Sequence, residues 1–139
     1  DNQIILVMMA KALKFFSKNR NSILWGLVIF ILCTMPSSGF PKVSVSGIDK
    51  LVHFGLFAVL TLLVISENNT LRLSGSVLQK TRWVGIVVSI IYGGLVELLQ
   101  LKVFTYRGAD WFDLIADVVG TLIAAWLYIP ISRLTRRLV

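Results

Sequence analysis

The stretch Trp83–Leu101, WVGIVVSIIYGGLVELLQL, decides the reading of this chain. It runs for 19 residues with one charged side chain, Glu97. A helix that crosses a bilayer needs roughly 20 mostly apolar residues. Three further apolar runs accompany it: about Ser22–Met35, ended by Pro36; about Ile48–Ile65; and about Trp111–Ile131. Together they predict an all-α integral membrane protein with a bundle of four transmembrane helices. Trp25, Trp83, Trp111 and Trp126 lie mostly near run ends, where aromatic belts form.

Composition agrees. Hydrophobic residues make up 56% of the 139 residues and charged residues 15%. The mean hydropathy is +0.81. A soluble domain carries roughly 25% charged residues, so a water-soluble fold is excluded. The net charge of +7 does not point to nucleic acid, because the basic residues sit between apolar runs rather than on one solvated face. The single cysteine, Cys33, can form neither an internal disulfide nor a cysteine metal cage, and reads as helix packing.

The remaining segments follow. Ile4–Phe16 is apolar with Lys11, Lys14 and Lys18 at helical spacing. No small-residue cleavage site follows it, so an interfacial amphipathic helix is expected rather than a cleaved signal peptide. This divides the chain into an N-terminal helix over residues 1–20, cytoplasmic or interfacial, and a transmembrane domain over 21–139. Pro36–Gly47, with two prolines, two glycines and four serines, reads as a loop, and so does Glu67–Arg82.

Lys and Arg orient the spans. Lys11, Lys14, Lys18, Arg20, Arg72, Lys80, Arg82, Arg133, Arg136 and Arg137 fall on one side. Lys42, Lys50, Lys102 and Arg107 fall on the other. The positive-inside rule puts the first group, and with it both termini, in the cytoplasm. The protein is then a multi-pass protein of the bacterial cytoplasmic (inner) membrane, with the lipid bilayer as its first partner.

Acids concentrate on the opposite side. Asp49, Glu97, Asp110, Asp113 and Asp117 all fall at the extracytoplasmic ends of the second, third and fourth runs, together with His53, the only histidine. Asp49 and His53 are four apart and share a helix face. Gly93, Glu97 and Gln100 form a stripe, as do Asp110, Asp113, Asp117, Gly120 and Ala124. Glycine and alanine on these stripes suit close helix packing. A carboxylate at the depth of Glu97 or Asp117 is costly unless paired, protonated or facing a wet cavity. Asp49, Asp110 and Asp113 have a simpler reading as helix-start residues. Ion pairs that lock three helices together are the alternative to a site.

Asp49-Lys50-x-x-His53-Phe54, then Glu97-x-x-Gln100, Arg107, Asp110, Asp113 and Gly120, follow in this order at the helix ends. The arrangement resembles the VanZ-like family of small bacterial membrane proteins over about Ile48–Ala125. The sequence departs from the family in one place: Asp113-Leu-Ile-Ala-Asp117-Val-Val-Gly120 carries Asp117 where the family usually has Asn. An extra carboxylate changes the charge of any pocket there. The resemblance implies action in the cell envelope, since the founding member is associated with low-level resistance to teicoplanin, a lipid-bearing glycopeptide.

Two functions compete. In the first, a polar pocket binds or modifies a lipid or cell-wall precursor. Its candidate acid/base groups are His53, Glu97 and Asp117. Its candidate ligand-binding residues are Asp49, Lys50, His53, Glu97, Gln100, Arg107, Asp110, Asp113 and Asp117, with the cations suited to a phosphate or carboxylate. In the second, the chain is a non-enzymatic subunit of a larger membrane protein complex. No hydrolase triad is visible, and Thr105 and Tyr106 carry no signature. No cofactor is expected. No metal-ligand spacing is recognisable either, although one histidine and several carboxylates could hold Mg²⁺, Ca²⁺ or Mn²⁺.

Overall fold

The computed structural model describes residues 2–35, 47–69, 75–104 and 110–138. Every regular element among them is helical: α1 (Asn2–Lys18), α2 (Arg20–Thr34), α3 (Ile48–Asn68), α4 (Gly75–Lys102) and α5 (Trp111–Leu138). Three are long and apolar enough to cross a membrane, over Ile48–Asn68, Leu78–Lys102 and Trp111–Pro130. The first apolar run, about Ser22–Met35, becomes α2, whose 15 residues fall short of the roughly 20 that a span needs.

Local chemistry sets the helix ends. Met35 takes an extended conformation (φ −65°, ψ 138°), as a residue before proline prefers, and α2 stops there. Gly47 precedes α3 at φ 101°, a left-handed conformation that only glycine adopts without strain. Asn19 (φ −103°, ψ 26°) interrupts the helix between α1 and α2. The loop expected over Glu67–Arg82 is corrected at both ends, since α3 runs on to Asn68 and α4 already begins at Gly75. Hydropathy marks where hydrocarbon begins, not where the helix begins. Gln79, Lys80 and Arg82 are good helix formers outside the apolar run.

The centre of the bundle is α3, packed most closely on α5 and then on α4, while α2 lies against α3 and touches α4. Ile29, Cys33, Phe57, Leu60, Val64 and Val96 form the main core. Cys33 is buried in that core. In lipid, close approach and polar ties replace the hydrophobic effect as the force between helices. Both are present. A Cβ on Gly120 would collide with the Phe54 carbonyl, so α3 and α5 touch backbone to glycine. Trp25 Nε1 donates to the Leu56 carbonyl (2.9 Å), and the Tyr92 hydroxyl donates to the Gly26 carbonyl (2.6 Å). Trp25 thus ties α2 to α3, whereas Trp83, Trp111 and Trp126 point outward. No residue of α1 is buried.

At one end of the bundle, Glu67 closes the start of α2. Its Oε1 accepts the Asn21 N–H (2.7 Å), and its Oε2 accepts the Ser22 N–H (3.2 Å) and the Ser22 hydroxyl (2.6 Å). A carboxylate at a helix N-terminus satisfies the orphan N–H groups and suits the helix dipole. The acidic cluster forms at the opposite end.

Candidate functional site

Three helices bring the acidic end together. The first turns of α3 present Asp49, Lys50 and His53, the last turns of α4 present Glu97, and the first turns of α5 present Asp113 and Asp117. Asp110 stands immediately before α5 and caps it. Its Oδ1 accepts the Phe112 N–H (2.9 Å), and its carbonyl accepts the Asp113 N–H (3.0 Å).

The site has an outer and an inner layer. Outside, Lys50 Nζ bonds Asp110 Oδ2 (2.8 Å) and Asp113 Oδ1 (3.2 Å), and lies 5.9 Å from the Phe112 ring centre. The Lys50 ammonium holds the Asp110 carboxyl below its usual pKa, with the Phe112 N–H assisting. Inside, His53 and Asp117 are each 2% exposed, and His53 Nδ1 lies 3.0 Å from Asp117 Oδ1. The other ring nitrogen of His53 faces Asp113 Oδ2 at 3.9 Å. Glu97 is 8% exposed, and its Oε2 accepts the Asp110 N–H (3.2 Å).

Glycine creates the space for Asp117. A Cβ on Gly93 would lie 3.2 Å from Asp117 Oδ2, so the absent side chain leaves that oxygen its place beside α4, one turn from Glu97. Asp117 Oδ2 and Glu97 Oε1 are buried without a hydrogen-bond partner among the described residues. A buried acceptor left unpaired costs about 1–3 kcal/mol, and more when charged. Two such atoms at one helix junction are poor scaffolding.

A cleft of about 250 Å³ opens beside this cluster, between the end of α4 and the start of α5. Leu98, Leu101, Trp111 and Leu114 make its walls, and Glu97 and Asp110 supply its carboxylates. The arrangement offers a greasy slot with a charged end.

Of the residues expected to bind a ligand, the structure gathers His53, Glu97, Asp113 and Asp117, with Lys50, Asp110 and the exposed Asp49 around them. Asp49 stands in the first turn of α3, whose N-cap is Gly47. Gln100 is engaged elsewhere, because its Nε2 donates to the Cys33 carbonyl (2.7 Å) and ties α4 to α2. Arg107, Thr105 and Tyr106 lie outside the described residues. Sequence reasoning missed Thr121, a fully buried residue whose hydroxyl also lacks a partner among the described residues. Its spacing of four from Asp117 was the available signal.

The sequence model of the VanZ/LLP1 family matches residues 2–134, nearly the whole chain, and the protein belongs to that family. An uncharacterised protein of Schizosaccharomyces pombe is 33% identical over 106 residues, which cover 74% of this chain and 62% of the yeast protein. The chain therefore matches about three fifths of that relative's length. No solved structure matches.

Proposed function

We propose that this VanZ/LLP1 protein binds an amphiphilic ligand at the non-cytoplasmic face of its membrane. The polar head of the ligand meets His53, Glu97, Asp113 and Asp117, and its chain lies in the cleft between α4 and α5. The observation that carries the reading is the buried, unpartnered oxygens on Glu97 and Asp117, of which Glu97 also lines the cleft walled by leucines. Intramembrane ionisable groups without partners mark ligand or ion sites. A head group that donates hydrogen bonds, through hydroxyl or ammonium, would satisfy both. His53 and Asp117 would then serve as an oriented acid/base pair.

In this reading α2 is a fourth crossing, with the bilayer locally thinned around it. Four crossings and the basic-residue count put both termini in the cytoplasm and the acidic cluster outside. In a bacterium the membrane is the cytoplasmic (inner) membrane and the field of action is the cell envelope, in keeping with the teicoplanin association of the founding family member. A relative in a yeast favours a lipid over a bacterial cell-wall precursor as the ligand class. For orientation, thiol labelling on a Cys33→Ser background is expected to mark a cysteine at Gly108 from outside and one at Ser76 from inside. The reverse pattern contradicts the topology.

Native mass spectrometry of the detergent-purified protein tests the ligand. Bound lipid is expected in the parent protein, lost when Leu98→Trp fills the cleft and weakened in Glu97→Gln. Equal lipid occupancy in all three proteins would overturn the reading.

A further inference from the structure

We infer that His53, Glu97 and Asp117 form a site for a divalent transition cation, Zn²⁺ or Mn²⁺, where α3, α4 and α5 meet. This deepens the ligand-site reading above and shares its residues. One ring nitrogen of His53 and one oxygen each of Glu97 and Asp117 lie within 4.8 Å of one another, and all three residues are buried. Ligand atoms around a tetrahedral cation with bonds of about 2.1 Å stand about 3.4 Å apart, so a small closing movement completes the site.

The second observation is the state of the carboxylates. Each has an oxygen that is buried and unpartnered among the described residues, and each residue is more than nine-tenths buried. The Asp117 oxygen faces α4 at Gly93, on the stripe that carries Glu97. Lys50 does not reach them, since its ammonium is engaged by Asp110 and Asp113. No ion pair to Lys or Arg reaches Glu97 or Asp117 among the described residues. Two carboxylates in a low-dielectric junction need a compensating positive charge, and a divalent cation supplies it at the right place.

The donor set selects the class of ion. Mg²⁺ and Ca²⁺ favour all-oxygen cages, whereas one imidazole with two carboxylates suits Zn²⁺ or Mn²⁺. With His53 Nδ1 on the cation, its Nε2–H turns toward Asp113 Oδ2, 3.9 Å away. A carboxylate behind a ligating histidine fixes its tautomer and raises its basicity. Three protein ligands also leave a coordination position for an oxygen of a bound head group. The ligands come from three helices, so no local spacing in the sequence could reveal them.

Titration of the chelator-stripped, detergent-purified protein tests the site. Mn²⁺ and Zn²⁺ are expected to bind one per chain and to compete with each other. Pulsed electron paramagnetic resonance of bound Mn²⁺ is expected to show coupling to one imidazole nitrogen. Glu97→Gln and Asp117→Asn should each weaken binding at least tenfold. Glu67→Gln, at the opposite end of the bundle, should leave it within about threefold. Absence of stoichiometric binding, absence of nitrogen coupling, or tenfold loss in Glu67→Gln would overturn the proposal. The nitrogen coupling is read on the parent protein, so poor folding of a variant does not remove the test. Lipid retention without metal binding would sink the cation alone. Metal binding without lipid retention would sink the amphiphile alone.

Discussion

Glu67 and Glu97 sit at opposite ends of the same bundle, and they are buried to nearly the same extent, 9% and 8% exposed. Their surroundings differ. Both oxygens of Glu67 are taken by donors at the start of α2. Glu97 receives one backbone N–H on one oxygen and nothing on the other among the described residues. Burial alone therefore does not separate a structural carboxylate from a site carboxylate. Satisfaction does. At the Glu67 end, Asn68 and Asn69 add further ties, to Asn19 and to the Tyr128 hydroxyl, which fasten α1–α2 and α5 to α3. At the Glu97 end, polar groups are held in place and left partly unpaired.

The comparison can be broken in graded ways. The largest effect is expected from Gly120→Ala, which drives a methyl into the Phe54 backbone and separates α3 from α5. A loss of about 3 kcal/mol is expected, at the upper end for overpacking, with both His53–Asp117 contact and ligand binding lost. Equal melting of parent and variant would show that the helices are not locked there. Next is Glu67→Ala. It strips the N-terminus of α2 of its acceptor, and should cost about 2 kcal/mol in chemical denaturation while ligand and metal binding persist in the folded fraction.

The smallest effect belongs to the outer layer. Asp110 has a lowered pKa because Lys50 bonds it. Its contribution is therefore fully present above the ordinary carboxylate pKa and fades as the pH falls through the lowered folded value. Melting curves taken down through this acidic window should decline less steeply in Lys50→Met than in the parent. Identical slopes would mean that the bridge is not formed in solution.

Some of this was legible in the sequence. The apolar runs became α2 to α5, because hydrocarbon-length hydropathy is a property of a continuous segment. The clustering of five acids with His53 followed from helix periodicity and the placement of charges. What escaped is non-local. Glu67 reads as a loop residue until the chain returns α2 to it, some 45 residues away. Gln100 sits on the Glu97 side of its helix run, yet its amide is claimed by the Cys33 carbonyl. The cleft walls looked like ordinary lipid-facing leucines, because only the pairing of α4 with α5 sets them beside two carboxylates. The start of α4 was hidden for a different reason, since polar helix formers carry no hydropathy signal.

The most direct test is to melt Glu67→Gln and Glu97→Gln beside the parent, in one detergent, with and without Mn²⁺. Each substitution removes one charge from an equally buried position. The account predicts a melting temperature several degrees lower for Glu67→Gln, with the Mn²⁺ stabilisation intact. It predicts an unchanged or higher melting temperature for Glu97→Gln without metal, and no Mn²⁺ stabilisation. A Glu97→Gln protein that melts as low as Glu67→Gln and still responds to Mn²⁺ would contradict it, and would make both glutamates scaffolding.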